Sequence, residues 1–388
     1  MDKLFQQAPE PKTPLGRYRV FGEHCGLRVS PLQLGAMSIG EAWTDFMGSM
    51  DKEQSFKLLD AFLEAGGNMI DTANNYQNEE SEAWIGEWME SRGVRDRVIV
   101  ATKFTTNYKT HVDGLDRNDV ILYGGNHKRS LHMSVRDSLK KLKTEWIDVL
   151  YLHWWDFSTS IKEVMDSLHV LVEQGKVLYL GISDTPAWVV AAANQYAIDN
   201  GKTPFCVYQG RWNVMIRDFE RDIIPMCRQF GMALAPWDAI GSGKLLTQKQ
   251  LDERKKAGEK FRSGGHERTE TEIKYAECLA GIAAEHGIES VTAVALAYLM
   301  AKTPYVFPIV GGRKVEHLHD NIQSLKLKLT QDQVDRIDGV QSFEPGFPHN
   351  FCGTDPTLPP SQHQPKNWIL PTQGTIDFLA GAKPPGRA

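Results

Sequence analysis

Four residues in the first half of the chain, Asp71, Tyr76, Lys103 and His153, are of types that move protons, and each stands at or just beyond the end of a short apolar run. A phenol has an ordinary pKa of about 10, which makes it a poor proton donor at neutral pH. An ammonium held beside it favours the phenolate and lowers that value. The ammonium in turn needs a carboxylate to keep it charged and in place. Tyr76, Lys103 and Asp71 supply that trio, and His153 adds a hydrogen-bond donor for a carbonyl oxygen. Such a set suits protonation of a developing alkoxide, hence reduction of a carbonyl or its reverse. No side chain offers a hydride, so a cofactor must bring it. Taken singly, a strand-end lysine is more often solvated and a lone histidine more often part of a core; it is their company that favours chemistry.

The runs that carry these residues read as strands: LQLGAM (32–37), NMIDTA (68–73), VIVATKF (98–104), DVLYLHW (148–154), VLYLGIS (177–183), FCVYQG (205–210), MALAPW (232–237) and YVFPIVG (305–311). Continuous apolar runs between turn residues suit strands buried on both faces of a parallel sheet. Helical spacing separates them. Phe56, Leu59, Phe62 and Leu63 recur over 53–66 before Gly66-Gly67, and Val164, Leu168, Leu171 and Val172 do so over 162–174 before Gly175. Eight strands with intervening helices predict an α/β fold closed as a (β/α)8 TIM barrel rather than an open sheet. Active sites of that fold lie at the C-terminal strand ends. Ser183-Asp184, Gln209 and Trp237 stand at such ends too, after the fifth, sixth and seventh strands.

The whole chain, 1–388, reads as one barrel unit. An N-terminal β-hairpin is expected at about 17–30, the barrel at about 31–340, and an irregular Pro- and Gly-rich C-terminal tail at 344–388, lying over the barrel where it could cover a substrate pocket. Two connections are long, 104–130 and the one between the seventh and eighth strands, which marks them as functional or disordered.

Composition excludes several classes. A net charge of −5 argues against nucleic-acid and anionic-membrane partners, which recruit basic patches. The longest apolar stretch, 291–301, falls well short of the roughly 20 residues a bilayer span needs. The start, MDKLFQQAPEPK, shows no secretory pattern. The cysteines (Cys25, Cys206, Cys227, Cys278, Cys352) are scattered, none at C-x-x-C spacing, so no disulfide framework or metal site is expected and a reducing, cytoplasmic location is the default.

The same residues fall within a series of motifs: G-A-M at 35–37, D-T-A-x-x-Y at 71–76, A-T-K at 101–103, G-I-S-D at 181–184, Y-Q at 208–209, A-P-W-D-A-I-G-S-G-K-L at 235–245 and I-V-G-G-R-K-V-E-H-L-H-D-N at 309–321. In this order, from about Gly16 to Leu329, the chain resembles the aldo-keto reductase superfamily. G-G-N-H-K-R-S-L at 124–131 and the Pro-rich tail look like those of fungal aryl-alcohol dehydrogenases and the norsolorinic-acid reductase group. The resemblance implies an NADP(H)-dependent oxidoreductase that interconverts aryl aldehydes or ketones with their alcohols, with secondary metabolism as one setting.

It also implies roles for single residues. Tyr76 would be the general acid, Lys103 its modulator, Asp71 the anchor of that lysine, and His153 the group that orients the carbonyl. Gly35, Met37 and Asp71 would border the cofactor, Ser183, Asp184 and Gln209 would hold its carboxamide, and Trp237 would stack on the ring. Asp238, Ala239, Ile240, Gly241, Ser242, Gly243, Lys244 and Leu245 would receive the diphosphate. Gly312, Arg313, Lys314, His317, Asp320 and Asn321 would bind the adenosine end, and a helix opening at Arg313-Lys314 would itself attract a 2′-phosphate. Trp43, Tyr76, His153 and Trp154 would face an aromatic substrate, with Trp155 and Phe351 as further flat walls. The pattern departs from the family's commonest form at Asp184 for Asn, Trp237 for Tyr, and Asp238-Ala239 for Ser-Pro. An acid beside a diphosphate is unfavourable. Two alternatives stand: a regulatory NADPH-binding subunit resembling potassium-channel β-subunits, and a non-redox barrel using Lys103 as a Schiff base. A homo-oligomer is left open.

Overall fold

A computed structural model of the chain describes residues 5–47, 50–256, 268–357, 365–379 and 381–388. A hairpin comes first, β1 (Arg19–Gly22) against β2 (Cys25–Val29). Eight parallel strands then form in the eight apolar runs: β3 (Gln33–Gly35), β4 (Met69–Asp71), β5 (Ile99–Phe104), β6 (Ile147–Leu152), β7 (Val177–Ser183), β8 (Phe205–Arg211), β9 (Ala233–Trp237) and β10 (Ile309–Val310). Their order in the sheet is β10-β3-β4-β5-β6-β7-β8-β9. A parallel bridge from Leu234 to Val306 brings β9 to the segment before β10 and nearly closes the sheet into the expected barrel. The last run is the one most shortened. Tyr305 sits at φ +58° and Pro308 has no N–H to donate, so a regular strand begins only at Ile309.

Helices cover the strands where the 3.6-residue spacing placed them. Asp51 caps the helix Lys52–Glu64 by accepting from Gln54 N at 2.8 Å, and Ser160 caps Ile161–Glu173 by accepting from Glu163 N at 3.2 Å. Leu58, Leu59 and Phe62 of the first, and Val164, Met165 and Leu168 of the second, are buried against the outer sheet face. The inner face has its own core. Met69, Ala101, Val149, Tyr151, Val207, Ala233 and Ala235 fill the barrel, and Phe21, Cys25 and Val29 of the hairpin plug its lower end beside Phe307. Full burial of each large apolar chain contributes about 1.5–3 kcal/mol. Polar strand ends are therefore left at the opposite, upper mouth.

The described residues of the tail do not line that mouth. Arg221 Nε donates to Pro345 O at 2.7 Å and Arg228 pairs with Asp355 at 3.3 Å, along the outer side of the barrel. Arg387 Nε then donates to Ala301 O at 2.8 Å, and the amide of Ala388 to Leu329 O at 2.9 Å. Arginines and backbone carbonyls thus hold the described tail to the wall, and among the described residues none of the tail covers the cleft, which corrects the expectation that it would. Phe351 packs on Trp368 within the tail, ring centroids 5.6 Å apart. A cavity of about 950 Å³ lies under the tail and contains none of the strand-end residues.

The two long connections are structured where they are described. Gly125 N donates to Thr105 O at 2.7 Å and Asn107 Nδ2 to Val120 O at 2.7 Å across the first. Helices Gln248–Lys256, Glu270–Glu285 and Val291–Lys302 make up most of the second. Among the described residues no helix is long and apolar enough to cross a membrane, and the five cysteines are unpaired.

Candidate active site

Strand register sets the first contacts. Asp71 ends β4 opposite Ala101 of β5, so Lys103, two residues on, projects into the barrel on the same face as Ala101. Its side chain is completely buried. An ammonium there is tolerable only if paired. Lys103 Nζ donates to Asp71 Oδ1 at 2.5 Å and to Thr72 O at 2.6 Å. The other carboxylate oxygen of Asp71 accepts from Gln209 Nε2 at 2.8 Å. Nζ lies 5.2 Å from the centroid of the Tyr76 ring, with the phenol as its remaining partner. Burial alone would lower the pKa of Lys103. Asp71 and Tyr76 outweigh it, so the net shift is upward and the ammonium stays charged.

Tyr76 shows a different balance from the one the sequence argument gives. Lys103 does pull the phenol down, by charge and by hydrogen bond, but burial pushes it up by more, and Asp71 adds to the rise. The net shift is upward, so the hydroxyl keeps its proton across the neutral range. Burial and the charge of Lys103 drive His153 the other way, to about 3, and it is neutral. Both rings expose an edge to the cleft, and their centroids are 6.0 Å apart at 75°. His153 Nδ1 meets Thr106 Oγ1 at 3.3 Å; with Thr106 as the donor in that contact, the ring carries its proton on Nε2.

The turn after Tyr76 gives no such signal in sequence. Gln77, Asn78 and Glu79 all have positive φ (52°, 51° and 81°) with no glycine among them. Side-chain bonds over-determine this strained run. Gln77 Nε2 donates to Met37 O at 2.9 Å and its Oε1 accepts from Trp43 N at 2.8 Å. Glu79 pairs with Lys109 at 2.5 Å and Lys141 at 3.0 Å. Trp43 Nε1 donates to Asn78 Oδ1 at 2.9 Å, and its ring stands 6.2 Å from that of Tyr76.

These residues open on one cleft of about 750 Å³. From the expected set, Gly35, Met37, Trp43, Asp71, Tyr76 and His153 line it at the ends of β3 to β6. Asp184, Gln209 and Trp237 follow at β7 to β9. Asp238, Ala239, Ile240, Ser242, Gly243, Lys244 and Leu245 continue it after β9, and Gly312, Arg313, His317, Asp320 and Asn321 after β10. Asp184, at φ +42°, accepts from Trp237 Nε1 at 3.2 Å and from Ser183 Oγ at 3.1 Å; burial pushes its carboxyl up. Lys244 is paired with Glu272 at 2.9 Å.

Seven expected residues lie off the lining, among them Trp155, which is buried in the outer core, and Phe351, which packs within the tail. Lys103 is beneath Tyr76, Ser183 is buried behind Asp184, and Gly241 is buried within its turn. Lys314 is the N-cap of the helix Val315–Ile322. Trp154 turns outward, 41% exposed, with Nε1 donating to Thr106 Oγ1 at 3.0 Å. The cleft also contains Ser38, Asn75, Arg211, Thr292 and Gly311, which sequence reasoning missed. Arg211 follows Gln209 by two residues in Q-G-R, and its charge at a strand end was the available signal.

A parallel eight-stranded barrel with an ammonium, a phenol and an imidazole at its upper mouth belongs to the class of barrels that handle protons at a strand-end cleft. The family model described as the aldo/keto reductase family matches residues 31–342, and the chain belongs to that family of oxidoreductases. It is 60% identical over 355 residues to the aldo-keto reductase ausK of Emericella nidulans, covering 91% of this chain and 89% of that one. An aryl-alcohol dehydrogenase [NADP(+)] of Phanerodontia chrysosporium is 54% identical over 355 residues, 90% and 92% of the two chains. Norsolorinic acid reductase B of Dothistroma septosporum is 48% identical over 373 residues, 94% and 93%.

Proposed function

We propose that this chain is an NADP(H)-dependent reductase and dehydrogenase that interconverts aryl aldehydes or ketones with the corresponding alcohols, in secondary metabolism among other settings. The observation that carries it is the fully buried Lys103, bonded to Asp71 and lying under Tyr76 at the floor of the cleft. The cleft fits a dinucleotide. Its volume is in the range of cofactor sites. Gly243 and Gly311 line it with nothing within 4 Å of where a Cβ would stand, so a side chain at either would fill space a ligand needs. Left-handed Asp238, Gly241, Ser242 and Gly243 turn backbone amides together into an anion-binding concavity.

Ser183, Asp184 and Gln209 would hold the nicotinamide carboxamide and Trp237, pinned by Asp184, its ring. The turn 238–245 would take the diphosphate, and Arg313 and Lys314, with His317, Asp320 and Asn321, the 2′-phosphate and adenosine. When bound, the dinucleotide supplies or accepts the hydride. Tyr76 Oη and His153 Nε2 donate hydrogen bonds to the carbonyl oxygen, and Tyr76 gives up its proton as negative charge grows there. Lys103 stabilises the phenolate left behind, and Asp71 fixes Lys103. Neutral His153 polarises the carbonyl without competing as an acid. A Schiff-base role for Lys103 would need a neutral amine, which its upward shift opposes. Trp43 offers the substrate a flat wall. The match to one family model over 31–342 supports a single barrel unit for 1–388, and five unpaired cysteines support a reducing, cytoplasmic setting.

NADPH oxidation should be followed against benzaldehyde derivatives, polycyclic ketones and short aliphatic aldehydes. Higher kcat/KM for the aromatic carbonyls is expected. A preference for the aliphatic set would overturn the substrate class.

A further inference from the structure

An ion pair in the cleft has no place in the assignments above. Arg211 ends β8 in register with Trp237 of β9, which sets its guanidinium beside the turn that follows Trp237. Nε donates to Asp238 Oδ2 at 2.8 Å, and Nη2 lies 2.8 Å from the same oxygen. The guanidinium carbon stands 5.7 Å from the centroid of the Trp237 ring. Ser242 Oγ donates to the other oxygen of Asp238 at 2.5 Å. Asp238 keeps only 5% of its side chain exposed, against 46% for Arg211, and both line the cleft. The carboxylate is thus turned into the protein while the cation faces the space.

A carboxylate in a concavity of backbone amides repels the anion those amides would attract. Arg211 cancels that charge from the cleft side. Its bonds to Asp238 use the edge formed by Nε and Nη2, and Nη1 takes no part in them. We infer that Arg211 is a cofactor-binding residue: its Nη1 edge contacts the diphosphate of the dinucleotide while Asp238 holds the Nε edge. The inference rests on the dinucleotide assignment made above. It explains why an acid is tolerated at 238, and why an arginine serves there, since only a planar fork can hold a carboxylate on one edge and a phosphate on the other.

The test is calorimetric titration of the full chain and of Arg211→Met and Arg211→Lys with two ligands. NADPH carries the diphosphate; adenosine 2′-monophosphate has only the adenosine end. Arg211→Met should raise the Kd for NADPH by about tenfold or more, as loss of a charge-assisted contact does, and flatten its salt dependence. The Kd for adenosine 2′-monophosphate should stay within about twofold. Arg211→Lys should recover part of the NADPH affinity, and it carries the test if the Met variant does not fold. Unchanged NADPH affinity in Arg211→Met, or equal losses for both ligands, would overturn the assignment, the second result indicating a distorted cleft. Failure of the unmutated protein to bind NADPH would instead remove the dinucleotide assignment, and this inference with it.

Discussion

Lys103 is surrounded by groups that need it charged. With no exposed surface, it spends two of its three hydrogens on Asp71 and Thr72 O, and directs the third at Tyr76. A proton lost from Tyr76, in the role proposed for it, would be met by a cation already in place, with no reorganisation required at the moment of transfer. His153 answers to the same cation in the opposite sense, since burial and Lys103 together hold it at about 3. Unfolded, its pKa returns to about 6.5. Between these two values the unfolded chain binds more protons than the folded one, so stability must fall as pH drops from about 6.5 toward about 3. His153→Gln removes that contribution, and its melting temperature should decline less than that of the unmutated protein between about pH 6.5 and pH 5. Parallel declines in thermal scans would show that His153 titrates normally in the folded state. That Asp71, Tyr76, Lys103 and His153 would meet at one strand-end cleft was legible because each is a polar group at or just beyond the end of an apolar run. Arg211 was not, because its partner Asp238 is 27 residues away and the two meet only through the register of β8 with β9.

At the scale of elements, apolar runs and helical spacing marked the barrel strands and their covering helices, because burial on both faces leaves an unmistakable pattern. What could not be read was the backbone at the edges. Three successive left-handed residues after Tyr76 contain no glycine, and side-chain bonds of Gln77 to Met37 O and Trp43 N and of Glu79 to Lys109 and Lys141 stabilise them. The tail could not be placed either, since its anchors are single arginines rather than a periodic face. One packing detail links an element to the site. Gly181 in β7 leaves room for the Tyr151 ring of β6; a Cβ there would come within 2.5 Å of two of its carbons. That ring lies under Lys103, whose Nζ is 5.6 Å from its centroid. Gly181→Ala should destabilise the barrel by about 1–3 kcal/mol, the usual range for overpacking, and lower kcat by shifting Lys103. Urea unfolding with an unchanged midpoint would show that the interior has slack.

Across the whole molecule the net charge is −5, and both signs border the cleft: Arg211, Lys244 and Arg313 on one side of the balance, Asp71, Asp184, Asp238 and Asp320 on the other. Attraction of a polyanionic ligand there depends on where the cations stand rather than on a net positive field, and weakens with ionic strength. Arg313 stands just ahead of the helix Val315–Ile322, with His317 of its first turns also lining the space. NADPH should therefore bind more tightly than NADH, and Arg313→Ala should narrow the gap chiefly by weakening NADPH. Fluorescence titration of both cofactors checks this; equal affinities in the unmutated protein would contradict a 2′-phosphate site at that end.

The most direct measurement concerns Tyr76 itself. Tyr76→Phe removes one oxygen, keeps the ring against Trp43 and His153, and leaves the cleft otherwise intact. With NADPH bound beforehand and an aryl aldehyde added in rapid mixing, single-turnover hydride transfer reports the chemical step alone. NADPH affinity should be nearly unchanged while the rate falls by two orders of magnitude or more, since general acid catalysis contributes about 10²–10⁴-fold. Reduction at close to the unmutated rate would mean that the proton comes from elsewhere, and that the Asp71–Lys103–Tyr76 arrangement does not do the chemistry assigned to it.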